Sequence, residues 1–331
     1  MGRTQGLVDQ LPIEQALAPT QCGGTSRSDA REVASEPNLP TGYDEGMFTT
    51  TARRMWQLLE PYHALIYFHP DARERYASIG LKGGWMGYFA SRSAAMGPVP
   101  PEVVVATFYN FHPRMVRRAI PDAWQFSSPE LVLRARYEAA DSALRNILGD
   151  AFDGVDVEVA AGLARRAAET CDPAGRPLHA AHASLPWPDL PHMQLWHAST
   201  LLREHRGDGH VAVLVSNDID GCEAHLTLVA AGGSTAEMQR EYRGWSEEEW
   251  AGAHRRLQAR GLIDDNGNFT DAGRGLRAEI EHRTDELAAA PYAALAADGC
   301  DRLERALISL TAAIGGASIP YPNPMGLPPT I

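Results

Sequence analysis

The chain of 331 residues has few of the residues that build disulfide frameworks and zinc sites. Its four cysteines, at positions 22, 171, 222 and 300, are far apart, and no C-x-x-C or C-x-x-H pair is present. A structural zinc site needs clustered ligands, and a disulfide-rich domain needs denser cysteines. No H-E-x-x-H motif is present either, so the sequence predicts no disulfides and no metal.

Long apolar runs are also missing. No stretch reaches the roughly 18 consecutive apolar residues that a membrane-spanning helix needs. The first residues, MGRTQGLVDQLPIEQ, lack the basic segment and apolar stretch of a secretory signal. We therefore expect a cytoplasmic protein that does not bind a membrane.

The sequence contains no G-x-G-x-x-G loop, no G-x-x-x-x-G-K-S/T loop and no G-x-S-x-G motif. These patterns are typical of dinucleotide sites, phosphate loops and serine hydrolases. We therefore expect no nucleotide or redox cofactor.

Composition and hydrophobic periodicity divide the chain into four segments. Residues 1–46 are rich in Gly, Ser, Pro and acidic residues, which is typical of a disordered arm. A helical N-terminal half is predicted over residues 47–170, a Pro-rich connector over 171–191, and a second half over 192–331. The apolar stretch 102–110 is compatible with helix or strand, and we predict a helix because hairpin turn signals are absent.

Two segments carry specific helix boundary signals. Ser128, Pro129 and Gly149 are suited to the N-cap, the first turn and the C-terminal end of one long helix. In the second half, Gly207 and Gly209 predict a break in a helix, with Asp208 as the N-cap of the next helix.

The most specific pattern lies near the C-terminus. Ser246 and Glu249 form a capping-box sequence, and the helix that follows is predicted to end at Gly261. A short strand, an Asn-Gly turn over residues 265–268, a returning strand and a long helix from Asp271 come next. Over about residues 210–290 this order resembles the MarR-like winged-helix superfamily, which implies a recognition helix followed by a β-wing.

From about residue 50 onward, the chain also resembles a bacterial family described only as helix-turn-helix. Three segments carry this resemblance: GYFASRSAAMG, LPWPDLPHMQLWHASTLLREHRGDGH and RTDELAAAPYAAL. The resemblance implies no particular biochemical activity.

A weak internal duplication is visible between the two halves. The segment YFASRSAAMGPVPPEVVVATFYNFHP aligns with WHASTLLREHRGDGHVAVLVSNDIDG, which brings Phe89 onto His197 and Arg92 onto Thr200. Shared alanine-rich composition is the alternative explanation. The predicted fold is mostly α: tandem degenerate winged-helix halves with one small β-wing, facing each other across a cleft.

Charge argues against DNA as a partner. The formal net charge is −12, and Lys82 is the only lysine. Seven arginines stand against ten acidic residues between Arg243 and Glu286, and the predicted wing and recognition helix begin with acidic residues. Negative charge repels phosphates, so we expect no DNA binding, although residues 255, 256 and 260 could form a small basic stripe.

Acid–base chemistry needs titratable side chains close together, and the segment from His192 to His210 is the richest in them. His197 and Glu204 are about two helical turns apart and share a helix face. A histidine beside a carboxylate can exchange protons near neutral pH. The predicted catalytic residues are His197, Glu204, Asp208 and His210.

A buried arginine needs an anionic partner, and for Arg92 this would be Glu204 or a ligand carboxylate. Structural roles remain the alternative throughout: Asp208 as a helix cap, Glu204 as the partner of an arginine, and aromatic helix faces as core. The predicted substrate-binding residues are Tyr88, Arg92, Asn110, Thr200 and Arg203.

Two functions fit these features. The first is a cofactor-independent biosynthetic (tailoring) enzyme, such as a cyclase, lyase or isomerase, that uses acid–base chemistry on a repurposed winged-helix scaffold. The second is a MarR-like, ligand-responsive transcriptional regulator, because a fold does not determine a function. In both cases the partner is a small molecule, and assembly as a homodimer or heterodimer stays open.

Overall fold

The computed structural model describes residues 45–327, which are mostly helical. The predicted arm over residues 1–46 lies outside this part of the chain, except for its last two residues, which begin the first helix. No helix among the described residues is long and apolar enough to cross a membrane. Short 3-10 segments cover Leu65–Tyr67, Ala94–Met96 and Gly149–Asp153. The α-helices are α1 Glu45–Ala64, α2 Pro70–Ser78, α3 Gly83–Ser93, α4 Pro101–Phe108, α5 Pro113–Arg117, α6 Ala123–Phe126, α7 Pro129–Leu148, α8 Val155–Ala168, α9 Pro177–Ala183, α10 Pro191–Ser216, α11 Gly221–Ala230, α12 Ala236–Arg243, α13 Glu247–Ala259, α14 Asp271–Leu287, α15 Ala290–Ala293 and α16 Ala296–Ser318.

Local signals place several helix boundaries correctly. In α7, the Ser128 side chain accepts a hydrogen bond from the backbone N–H of Leu131, and Pro129 is the first helical residue. Gly149 ends the helix with a φ of 52°, in the left-handed region that favours glycine. The ambiguous stretch after Pro100 is helical, as predicted, because α4 covers most of it.

The predicted break at residues 207–209 is wrong. Helix α10 runs without interruption through Gly207, Asp208 and Gly209. A Cβ atom at residue 209 would lie 2.6 Å from Nη1 of Arg176, so this glycine admits a neighbouring guanidinium instead of ending the helix. Arg176 donates hydrogen bonds to the backbone carbonyls of His205 and Leu287, which lie in α10 and α14. A glycine inside a helix is less stable than an alanine by about 1 kcal/mol, and this packing offsets that cost.

Asp208 is therefore not the N-cap of a following helix, and it caps a different helix instead. Its Oδ2 accepts the backbone N–H groups of Leu178, at 3.0 Å, and His179, at 2.9 Å. Both groups belong to the first turn of α9, whose N-cap, Arg176, makes no side-chain cap bond. The free N–H groups at a helix start need acceptors, and here the acceptor comes from another helix.

Helix α10 crosses two hydrophobic cores. Its first half, through Leu202, belongs to a large core that also includes residues of α1, α3, α7, α8 and α16. Its last turns, from Val213, belong to a smaller core with residues of α11, α13 and α14. The segment 203–210 between the cores is mostly polar. The C-terminal helix α16 packs in the large core, so this core contains residues from both predicted halves.

The predicted wing is present only as one antiparallel bridge, between Ile263 and Phe269, within the described residues. The turn is closed by Asp264, whose Oδ1 accepts the N–H groups of Asn266 and Asn268. Thr270 already caps α14, so no residues remain to extend a strand.

The two segments aligned as a duplication differ in structure. Residues 88–113 break between α3 and α4 around Gly97, whose φ is 80°, whereas residues 196–216 form continuous helix. The aligned segments therefore do not share one backbone path.

Substitution of Leu144 by alanine tests the large core. This side chain in α7 is fully buried, so the cavity left behind should lower the free energy of unfolding by about 2–5 kcal/mol, measured by urea denaturation. The matched control is Leu131→Ala in the same helix, where 43 % exposure predicts a change within about 0.5 kcal/mol. Equal losses in the two variants would contradict the assigned core.

Candidate active site

The polar segment of α10 faces a cavity of about 480 Å³. Helix α3 and the end of α4 form one wall, α10 forms the second, and α12 with the C-terminal segment closes the third. Aromatic and charged side chains alternate around it. The lining residues are Tyr67, Phe68, Arg73, Gly84, Trp85, Tyr88, Arg92, Thr107, Phe108, Asn110, Phe111, Leu178, Arg203, Glu204, Gly207, Asp208, His210, Val211, Tyr242, Arg243, Pro324 and Met325.

A second cavity of about 680 Å³ shares several lining residues with the first. It is lined mainly by α1, α10, α11 and α14. Gly207 lies in the shared wall and has no side chain to separate the two spaces. The residues that line both cavities are Asn110, Arg203, Gly207, His210, Arg243, Pro324 and Met325.

Glu204 is the buried anion of this wall. Its two carboxylate oxygens each lie 3.0 Å from Nη2 of Arg92, and Oε2 lies 2.7 Å from Nη1 of Arg203. Burial alone would raise the pKa of Glu204, but Arg203 and Arg92 outweigh it and hold this pKa well below its usual range. Arg203 also pairs with Glu60 of α1 at 3.3 Å. Glu204 is thus a permanent anion and a poor proton acceptor.

Asp208 differs from Glu204 in its surroundings. Its Oδ2 takes the two N–H bonds from α9, and Oδ1 makes no hydrogen bond or ion pair with any residue that the structure describes. Burial raises the pKa of Asp208 to about 6, against the opposing effect of the N–H bonds. A carboxyl group with this pKa can accept or release a proton near neutral pH.

The two predicted histidines occupy different places. His210 lines both cavities, its Nδ1 lies 2.9 Å from Oγ1 of Thr284, and burial lowers its pKa to about 4. His197 lines neither cavity and lies beside the large core, with Nδ1 2.8 Å from the hydroxyl of Tyr137. Its ring packs edge-on against Trp187 at 4.7 Å. Although His197 and Glu204 share a helix face, two turns separate them, and their neighbours differ.

Thr200 does not line the cavity but is connected to it by a chain of hydrogen bonds. It donates a hydrogen bond to the carbonyl of Trp196, so its hydroxyl can accept one from Nδ1 of His63, at 3.0 Å. Nε2 of His63 can then accept a hydrogen bond from the hydroxyl of Tyr67, at 2.7 Å. Tyr67 lines the cavity, and this chain fixes the orientation of its hydroxyl.

Asn110 is held in the wall by its backbone. Its carbonyl accepts hydrogen bonds from Nε2 of His225, at 3.0 Å, and from Nε1 of Trp245, at 3.1 Å. The preceding Tyr109 has a φ of 52°, and a Cβ atom at Gly221 would lie 2.5 Å from the Tyr109 carbonyl. Glycine at position 221 therefore allows this turn to approach α11.

Arg243 is the site residue that the sequence did not indicate. It is 9 % exposed, its Nη2 donates to the carbonyl of Pro324 at 2.8 Å, and its guanidinium lies 4.6 Å from the ring centre of Phe111. Burial lowers its pKa to about 10. In the sequence, Arg243 is one of several arginines before a capping box, and only the folding of α12 over α3 distinguishes it.

The structure thus brings most of the predicted site residues together. His197 and Thr200 lie away from the cavity, and the others line it. Those in the lining are Tyr88, Arg92, Asn110, Arg203, Glu204, Asp208 and His210.

The model of the Helix-turn-helix family matches residues 52–320. The chain belongs to this family. No curated protein and no solved structure matches it. The matched span includes every residue that lines the first cavity except Pro324 and Met325.

Metal ligands are not clustered in the family-matched region. Within residues 45–327, no group of three or more His, Cys, Asp or Glu side chains is arranged to hold a metal ion. The titratable side chains that line the first cavity include Asp208 and His210.

Substitution of Glu204 by glutamine should destabilise the protein strongly. Arg92 and Arg203 would remain buried without their shared anion, and the expected loss is about 3–5 kcal/mol in urea denaturation. Glu138→Gln serves as the control, since its pair with Arg75 is exposed and should contribute at most about 1 kcal/mol. A loss at Glu204 no larger than at Glu138 would contradict the buried ion cluster.

Stability should fall as the pH drops below 6.5. Among the described residues, burial lowers the pKa of seven histidines, including His63 and His179. The pKa falls to about 3 for His182, His205 and His225, and to about 4 for His197 and His210. Between pH 6.5 and these values, the unfolded chain binds protons that the folded chain does not, so each histidine should cost about 2 kcal/mol between pH 7 and pH 5.

The test is urea denaturation at both pH values. His205→Gln should reduce the pH dependence by about one histidine's share. Asp208 contributes in the opposite direction, because its raised pKa favours the folded state at low pH. Stability that is the same at pH 7 and pH 5 would rule out the buried neutral histidines.

Proposed function

We propose that this protein is a cofactor-independent biosynthetic (tailoring) enzyme, such as a cyclase, lyase or isomerase, and that its substrate is a small molecule bound in the cavity of about 480 Å³. One observation carries the proposal. Asp208 lines this cavity with a free carboxylate oxygen, and its pKa of about 6 suits proton transfer near neutral pH.

In the proposed mechanism, Oδ1 of Asp208 takes a proton from the substrate and returns it to a second atom, so no proton is gained or lost overall. His210, whose pKa of about 4 keeps it neutral, can donate or accept a hydrogen bond beside the reacting atoms. Arg92 and Arg203 are held in place by Glu204 and give the wall a fixed electrostatic pattern.

The scaffold is proposed to derive from a winged helix. Over residues 210–290, the order α11, α12, α13, β-bridge and α14 supports this interpretation, as does membership of the Helix-turn-helix family. The tandem arrangement of two such halves rests on the sequence duplication.

A MarR-like, ligand-responsive regulator is the second candidate, favoured by the family membership and by a ligand cavity that borders α12, the helix before α13. The engagement of nearby arginines within the protein argues against DNA binding by such a regulator. Arg256 is engaged by Asp220 and Glu223, and Arg260 donates to backbone carbonyls of residues 217 and 218. Two of the three arginines of the basic stripe are therefore already bound within the protein.

Asp208→Asn should lower turnover by a factor of about 100 or more, because an amide cannot accept the proton. The assay uses purified protein and the metabolite that accumulates when the gene is deleted. The amide oxygen can still cap α9, so circular dichroism should report an intact fold. Asp301→Asn, an exposed position in α16, is the control and should retain full turnover.

Undiminished turnover by a folded Asp208→Asn variant would remove Asp208 from the catalytic role. If the wild-type protein converts no accumulating metabolite, and instead binds a genomic fragment with sub-micromolar affinity that weakens steeply with salt, the regulator is the correct function.

A further inference from the structure

We propose that the cavity takes a planar aromatic monocarboxylate and that Arg243 binds its carboxylate group. This inference rests on the proposed small-molecule function and adds the class of substrate. It follows from Arg243, a buried arginine of the cavity lining that has no carboxylate partner among the described residues, and from the aromatic rings around it.

Two other arginines of the lining, Arg92 and Arg203, are neutralised by carboxylates of the protein. Arg92 pairs with Glu204, and Arg203 pairs with Glu204 and Glu60. Arg73, also in the lining, is exposed at the surface, where water compensates its charge.

Arg243 has no such compensation. No carboxylate among the described residues lies within 4.0 Å of it, and its hydrogen bond to the carbonyl of Pro324 supplies no charge. Its Nε is buried and has no hydrogen-bond partner in the part of the chain that the structure describes. The nearby charges of Arg92 and Arg203 add repulsion.

A guanidinium buried without an anion is strongly disfavoured, and a carboxylate placed against its planar edge relieves this penalty through two parallel hydrogen bonds. A single uncompensated cation matches a monoanion. A phosphate dianion would need more than one free positive charge, which the inner wall does not offer. The charge of the site therefore selects a monocarboxylate.

The neighbouring surface selects the rest of the molecule. Trp85 and Tyr242 are 38 % and 39 % exposed, although both are large aromatic side chains that line the cavity. Their ring centres lie 6.2 Å apart, and Trp85 lies 6.0 Å from Phe111, over which Arg243 stacks. A planar ring attached to the carboxylate would cover this exposed aromatic face and gain stacking contacts.

Benzoate and benzamide are the probes, because they share size and ring but only benzoate carries a charge. Titration by isothermal calorimetry or ligand-observed NMR at constant ionic strength should give benzoate at least tenfold tighter binding than benzamide. Arg243→Met should abolish this preference. Arg240→Met, on the same helix but in an ion pair with the exposed Glu247, should retain it.

A second variant covers loss of folding. Arg243→Lys keeps the charge but not the planar fork, so it should keep the fold and a weakened preference for benzoate. Equal binding of the two probes by the wild-type protein, or an unchanged preference in a folded Arg243→Met variant, would overturn the inference.

The outcome is separable from that of the proposed enzyme. A preference for benzoate that depends on Arg243, together with full turnover by Asp208→Asn, would support the carboxylate site and contradict the acid–base role of Asp208. Loss of turnover in Asp208→Asn without any preference for benzoate would support the acid–base role and contradict the carboxylate site.

Discussion

The Glu204 carboxylate, enclosed between Arg92 and Arg203, is the interaction on which the candidate site depends. The ion pair between Arg92 and Glu204 ties α3 to α10. Arg203, which also pairs with Glu204, ties α10 to α1 through its ion pair with Glu60. Removal of Glu204 would leave Arg92 buried without a carboxylate partner and would leave Arg203 with Glu60 alone, which is far costlier than loss of a surface pair. Helices α1 and α3 are therefore held at a fixed distance from the polar segment of α10.

The same segment of α10 also supports structure outside the cavity. Asp208 supplies the acceptor that the first turn of α9 lacks, and Gly209 leaves room for Arg176, which bonds to α10 and α14. The Asp208 side chain thus caps α9 through Oδ2 and also lines the cavity, and its Oδ1 makes no hydrogen bond to the described residues. Two hydrogen bonds to one oxygen fix the orientation of this carboxylate.

Signals confined to one helix were sufficient to predict part of the fold. The caps and glycine at the ends of α7 acted as local chemistry predicts, since their partners lie within four residues. The Gly207–Gly209 segment was misjudged because the residues that stabilise it, Arg176 and α9, are distant in sequence. The pairing of Arg92 with Glu204 was anticipated from charge, whereas Arg243 gave no sequence signal, because its isolation from carboxylates exists only after folding.

The segment after α16 has a consequence for how specificity can change. Pro324 and Met325 line both cavities, and the Pro324 carbonyl is held by Arg243 and by Gln239. Neither residue is part of either hydrophobic core. Substitutions at these two positions can therefore change the shape of both cavities at little cost to the packing of either core, so cavity shape and core stability can vary independently.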